Sequence, residues 1–205
     1  MTNKLLTGPV ARPAPTDHPV LELLRARWSP RAFAPEAIDA ATLTLLLEAA
    51  RWAPSASNEQ PWGFIYAHRS ETADFARILD CINPGNQVWA KDAAVLLITT
   101  ARQNRRGKDQ VNVTASYDLG QAVAHLSIQA TALGIAVHQM GGFSNERAQQ
   151  SLSVPAGHRC VTAVALGYPG DPAALPEDLR VREANPRTRV PLASIAFQGQ
   201  WRGAD

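Results

Sequence analysis

Apolar positions along the chain fall into two spacings, one near every third or fourth residue and one forming short unbroken runs, and the two alternate from end to end. Val20, Leu21, Leu23 and Leu24 share one side of a short helix predicted over His18–Arg27, with Asp17 as N-cap, Pro19 tolerated in the first turn and a stop before Pro30. Leu43, Leu46, Leu47 and Ala50 keep the i, i+3, i+4, i+7 rhythm and predict a helix from Asp39 to about Ala53, ended by Pro54. WGFIYAH, from Trp62 to His68, reads as a strand. A helix over Glu71–Cys81 follows, then a turn signal at Pro84-Gly85-Asn86, then AAVLLITT, whose unbroken apolar character suits a strand covered on both faces. The longest periodic stretch runs from Tyr117 to Leu133: Leu119, Val123, Leu126, Ala130 and Leu133 share a face, and Gly134 supplies the stop. Its other face is rich in Ala, which predicts a central, buried helix. IAVHQM reads as a strand ending in the Gly141-Gly142 turn, Ser144 can cap a short helix reaching Leu152, and VTAVALGYP reads as a further buried strand.

Interspersed strands and helices give an α/β or α+β sheet protein. With 205 residues and 45% apolar content, the chain fits a single domain over 1–205, flanked by a proline-rich N-terminal arm (1–16) and a Pro/Arg-rich C-terminal arm (172–205). The C-terminal arm lacks sustained periodicity but is tipped with Ile195, Phe197 and Trp201, which predicts that it packs on its own domain or embraces a second subunit. No internal repeat and no GxGxxG or GxxxxGK phosphate loop is present, so a nucleotide-type cofactor must be held in another way.

Twenty basic and eighteen acidic side chains leave a formal charge of +2, which argues against a broad nucleic-acid or anionic-membrane surface. The densest basic stretch, ARQNRRGK over 101–108, reads as a solvated loop. Cys81 and Cys160 are far apart and in no CxxC or Cys/His pattern, which predicts neither a disulfide framework nor a metal site. No stretch has the apolar length of a signal peptide or a bilayer span, and a cytoplasmic location is expected.

Two clusters carry candidate chemistry. Arg27-Trp28-Ser29-Pro30-Arg31 puts two cations around a small hydroxyl just after a helix; guanidinium forks bind phosphate bidentately, and the proline sends Arg31 along a different line from Arg27. Two solvated arginines in a turn would satisfy the same residues. Pro54-Ser55-Ala56-Ser57-Asn58-Glu59-Gln60-Pro61 is a loop of small and amide residues pinned between prolines, where a planar ring can approach the backbone and Asn58 can both donate and accept. An ordinary helix-to-strand loop has the same composition.

Taken together, RWSPRAF and EAARWAPSASNEQPWGF resemble the nitroreductase family of flavoproteins, through its Arg-x-Ser-x-(Arg/Lys)-x-Phe and Pro-Ser-x-x-Asn-x-Gln-Pro-Trp motifs. HQMGGF resembles the turn that brings backbone amides beside the flavin ring, and RTRVPL the late pair of basic residues that grips the phosphate. The resemblance implies an α+β, three-layer α/β/α nitroreductase-like fold, with a central mixed, mostly antiparallel sheet flanked by helices, in a domain-swapped homodimer. It implies FMN as cofactor and NAD(P)H as co-substrate, with hydride passing through flavin N5 to a small nitroaromatic, quinone or similar acceptor in a ping-pong reaction. It assigns Arg27, Arg187 and Arg189 to the FMN phosphate, Trp28 and Ser29 to the ribityl chain, and Arg31 to the pyrimidine edge, where reduction places negative charge on N1 and O2. Pro54, Ser55, Ala56 and Asn58 would reach the same flavin from the other subunit. Asn86 aligns loosely with an asparagine at the pyrimidine edge, and Met140, Gly141 and Gly142 with the N5 side; several relatives carry a glutamate where Gly141 stands. No side chain is assigned a catalytic role, because the flavin performs the chemistry.

His125, in mid-helix, and His138, in a strand, read as satisfied core or interface histidines. Trp52, Trp62 and Trp89 read as packing, and Tyr117 and Asp118 as residues near the substrate mouth, Asp118 being already explained by the helix dipole. Rival readings are a flavin-dependent dehydrogenase or flavin-consuming member of the same family, a non-catalytic flavin-binding dimer, and, on ARQNRRGK alone, a nucleic-acid binder.

Overall fold

The computed structural model describes residues 12–203. Four strands, β1 (Trp62–His68), β2 (Val95–Arg102), β3 (Ala136–Met140) and β4 (His158–Gly167), form one sheet in the order β1-β2-β4-β3. Every pairing among these strands is antiparallel. Among the described residues, seven α-helices surround the sheet: α1 (Glu22–Ala26), α2 (Ala40–Arg51), α3 (Thr72–Leu79), α4 (Pro84–Ala90), α5 (Ala115–Ala132), α6 (Asn145–Ser151) and α7 (Glu177–Ala184).

The unbroken apolar runs have a physical cause: both faces of the sheet are covered. Along β2, Leu96 and Ile98 point into a core shared with Phe75 and Ile78 of α3, Trp89 of α4 and Leu179 of α7. Val95 and Leu97 point the opposite way, into a core with Leu43 and Leu46 of α2 and Leu126 of α5. The same division separates Ala163 and Ala165 from Val164 and Leu166 on β4. Because successive strand side chains face opposite ways, a strand between two helical layers has no polar positions to alternate with. The result is the expected three-layer α+β arrangement.

Most boundaries follow their local chemistry. The Asp39 carboxylate accepts from Thr42 N at 2.6 Å and the Ser144 hydroxyl from Arg147 N at 3.2 Å, opening α2 and α6 as N-caps. Gly134 closes α5 at a φ of 73°, a left-handed geometry that glycine adopts without strain. Helix α5 buries ten of its eighteen residues and packs on α2, β2 and β3, as expected of the central helix.

Several local expectations fail. Helix α1 starts at Glu22 with Leu21 as its cap residue, so Asp17 and Pro19 lie outside it. Pro84-Gly85-Asn86 opens α4, with Pro84 at the first helical positions where its missing N–H is no loss, so the turn signal marks a helix start. Helix α7 stands in the arm that shows no periodicity, since Leu179 and Glu183 are its only buried residues. Trp52 is 72% exposed: its indole donates to the Glu48 carboxylate at 2.8 Å and lies under the Arg51 guanidinium. His125 is exposed on α5, so of the core and interface readings the core one fails. Cys81 and Cys160 are buried free thiols. Among the described residues, no helix is long and apolar enough to cross a membrane.

Candidate functional site

The end of α1 delivers Arg27, Trp28, Ser29 and Arg31 to a cleft of about 210 Å³ whose other wall is the chain from Arg182 to Arg189. Arg12, Arg27, Arg31, Arg182, Arg187 and Arg189 line it, with Glu183 as the carboxylate among them. Arg187 acts first as a clasp. Its Nη1 donates to the carbonyls of Arg12 at 2.5 Å and Arg25 at 2.8 Å, and its Nη2 to that of Arg27 at 2.7 Å. Of five guanidinium N–H donors, Nε–H and one on Nη2 meet no acceptor among the described residues, enough for a two-point contact with an anion. Arg12 reinforces the same junction by donating to the carbonyls of Glu183 and Asn185 while lying over the Trp28 ring, 4.8 Å from its centroid. Arg27 Nη1 reaches Ser29 Oγ at 3.3 Å.

These cations repel one another. Burial, and then the proximity of Arg189, lower the pKa of Arg27; burial, and then Arg27, Arg189 and Arg12, lower that of Arg187. The carboxylate of Glu183 offsets only one of the six arginines, because its ion pair is with Arg31. At 3% exposure it accepts from the main-chain N–H of Arg31 at 2.8 Å and of Ala32 at 3.5 Å, and from Arg31 Nη1 at 3.3 Å. The cleft is therefore an excess of positive charge with unused donors, the donor set that a phosphate monoester requires.

The turn that carries Ser29 and Arg31 is held from a second side by β3. His138 Nδ1 lies 2.8 Å from the carbonyl of Pro30, and since a carbonyl only accepts, Nδ1 carries the proton. Burial lowers the His138 pKa, and its ring packs on Trp89 with centroids 4.4 Å apart. Two residues on, Met140 ends β3, its carbonyl accepting from Thr162 Oγ1 at 2.8 Å. Gly142 then passes so close to α4 that a Cβ there would stand 2.8 Å from Asn86 Nδ2, whereas a Cβ on Gly141 would meet open space. Asn83 N donates to Gly142 O at 3.0 Å, and Asn86 Nδ2 to the same oxygen at 3.4 Å. The structure thus joins Asn86 to the Gly141-Gly142 turn.

Pro54, Ser55, Ala56 and Asn58 lie in a separate loop between α2 and β1 and do not line the arginine cleft. Ser57, Asn58 and Gln60 have φ of 51°, 54° and 45°, three left-handed residues without a glycine. Such conformations cost on the order of 1 to 3 kcal/mol each and persist only where the surroundings impose them. Ser55 Oγ accepts from Gln60 N at 3.0 Å, and the carboxylate of Asp118, 1% exposed, accepts from Ala56 N at 3.3 Å and Thr114 Oγ1 at 3.0 Å. Glu59 accepts from Arg106 N at 2.8 Å and Arg102 Nη2 at 3.0 Å, the first of which does most to hold its pKa below the ordinary carboxylate value. Asp118 therefore braces the loop from inside, while Tyr117 is exposed.

Sequence reasoning missed Arg12, Arg182 and Glu183 in the cleft, and Glu59 beneath the loop. One signal for Glu183 was present: it follows Leu179 by four residues, which on a helix puts both on the inward side.

The family model described as the nitroreductase family matches residues 24–168. A crystal structure described as an oxidoreductase containing FMN is 40% identical and superposes with a TM-score of 0.89, over 97% of this chain and 100% of that one. An uncharacterised 15.4 kDa protein of Mycolicibacterium smegmatis is 35% identical over 128 residues, 62% of this chain and 84% of the relative. A Streptomyces coelicolor protein provisionally described as an NADH dehydrogenase/NAD(P)H nitroreductase is 25% identical over 82% of this chain and 91% of its own.

Proposed function

The chain belongs to the nitroreductase family, and on that premise we propose that it is an FMN-dependent oxidoreductase that passes hydride from NAD(P)H to a small oxidised acceptor such as a nitroaromatic or quinone. The observation that carries this reading is the convergence of Arg27, Arg187 and Arg189 on a cleft whose carboxylate is engaged with Arg31. Arg27, Arg189 and the free N–H groups of Arg187 hold the FMN phosphate; Trp28 and Ser29 follow the ribityl chain; Arg31 meets the pyrimidine edge. Met140, Gly141 and Gly142, with Asn86 behind them, bring main-chain atoms to the N5 side, and the open space at Gly141 leaves room there for substrate.

When bound, FMN would supply the hydride chemistry that links the nicotinamide to the acceptor. The protein binds, orients and sets charge: Arg31 offers a fixed cation at the edge where negative charge gathers, and no side chain acts as nucleophile. The loop of Pro54, Ser55, Ala56 and Asn58 serves the site of a second copy, which makes the functional unit a homodimer with the C-terminal arm against its partner. Its strained, braced geometry fits a surface that presents backbone to a planar ring.

Pure protein reconstituted with FMN is expected to be yellow and to bleach anaerobically on addition of NADH or NADPH, then recolour with a quinone. Folded, flavin-loaded protein that keeps its colour with both nucleotides overturns the reductase reading.

A further inference from the structure

We propose that Glu183 is a positioning residue for the redox chemistry: by pairing with Arg31 it sets the orientation and net charge of the cation facing the flavin, and so tunes the potential of the bound cofactor. The inference rests on the FMN reading given above.

The geometry is specific to this pair. Glu183 sits on the inward side of α7, with its side chain 2% exposed against 20% for that of Arg31. Its Oε1 takes the main-chain N–H of Arg31 at 2.8 Å and of Ala32 at 3.5 Å, while Oε2 takes the guanidinium at 3.3 Å. The carbonyl of Glu183 is itself fixed by Arg12, and on the far side His138 holds the Pro30 carbonyl. The backbone of residues 30–32 is thus fixed from two directions, and the guanidinium of Arg31 is aimed by the carboxylate.

Fixing the backbone does not need a charge. A glutamine would accept the Arg31 N–H equally well, and it would avoid the desolvation penalty that a buried carboxylate carries. What the carboxylate alone does is offset Arg31. A free guanidinium at the pyrimidine edge would strongly favour the negative charge that reduction places there; a paired one favours it less, because the two charges oppose each other at nearly the same distance. Glu183 therefore holds the flavin potential below the value that Arg31 alone would set, so that the reduced cofactor gives up its electrons more readily to a weak acceptor.

The test is the two-electron potential of FMN-loaded protein, read by equilibration with a reference dye alongside the affinity for oxidised FMN. Glu183→Gln is expected to raise the preference for reduced over oxidised flavin about tenfold, a rise of about 30 mV for a two-electron couple. In an Arg31→Gln background the same change should still raise the preference, because the carboxylate opposes reduction by its own charge, while Arg31→Gln alone should lower it. An unchanged potential in folded, loaded Glu183→Gln overturns the proposal, as does an unchanged potential in folded, loaded Arg31→Gln. Should Glu183→Gln not fold, Glu183→Asp draws the carboxylate back by one methylene and must shift the potential upward; a loaded Glu183→Asp protein at the wild-type potential is equally fatal. Wild-type protein that takes up no FMN at all sinks the cofactor reading itself, and is seen before any variant is compared.

Discussion

Residues 27–31 are held by side chains that reach them across 108 to 160 positions of sequence, from His138, Glu183 and Arg187. Residues 54–60 are held by nearer partners, Ser55 within the loop, then Arg102, Arg106 and Asp118 at 43, 47 and 62 positions. The first region has well-fixed main chain and unbalanced side-chain charge; the second has balanced charge and strained main chain. Each kind of frustration points to its own remedy. Excess positive charge is relieved only by an anion, so the arginine cleft should gain stability when ligand arrives. Strain at Ser57, Asn58 and Gln60 is already offset by Asp118 and Glu59, so the loop should keep its shape with or without ligand.

The sharpest way to break this contrast is Arg187→Ala. It removes the clasp together with the proposed phosphate contact, and loss of roughly 3 kcal/mol of charge-assisted hydrogen bonding is expected to weaken FMN binding about a hundredfold. Flavin fluorescence titration reads the affinity, and inorganic phosphate should raise the melting temperature of the wild type but not of this variant. The counterpart is Asp118→Asn, which leaves one of the Ala56 and Thr114 donors poorly matched and lowers unfolding stability by about 2 kcal/mol in urea, with or without FMN. Equal FMN dependence of the two defects would erase the distinction between the regions.

A smaller effect separates two neighbouring glycines. Gly142→Ala drives a methyl to 2.8 Å from Asn86 Nδ2 and should cost about 1 kcal/mol, whereas Gly141→Ala, with nothing within 4 Å, should change stability by less than about 0.5 kcal/mol. Thermal melts of the two variants side by side decide it. The weakest effect is in pH. Burial lowers the His138 pKa from 6.5 in the folded chain, so the unfolded chain takes up the proton first as pH falls. The stability that the neutral ring contributes is complete above about 6.5 and is lost as pH drops from there through the folded value. A His138→Gln variant, whose amide can still donate to Pro30, should show a flatter stability profile across that window in urea titrations.

What could be read from the residues alone divides along the same line. Helix α5 was legible because Leu119, Leu126 and Ala130 carry its packing in a regular stripe that ends at Gly134. β2 and β4 were legible because double coverage leaves their sequences uninterrupted. Helix α7 was not, because EDLRVREA buries only Leu179 and a glutamate, and a buried carboxylate looks in sequence like any solvated one. The four motifs were visible as residue types, but the clasp of Arg187 on three carbonyls was not. Main-chain acceptors exist at every position, and only the fold selects which ones a guanidinium meets. Trp52 was misjudged for the converse reason: an aromatic beside a helix end suggests packing, and only the Glu48-Arg51 pair explains why it stands in solvent.

The clasp also has a consequence for the order of events as the chain is made. All four strands lie between residues 62 and 167, so the sheet and the core on its α2 and α5 side can assemble while later residues are still in the ribosome. Arg187 closes on Arg12 across 175 positions, among the longest loops this chain forms, and it does so after everything between has emerged. The arginine cleft thus closes only once residue 187 has emerged, and a nascent chain stalled before it would be folded at its centre and still lack the clasp.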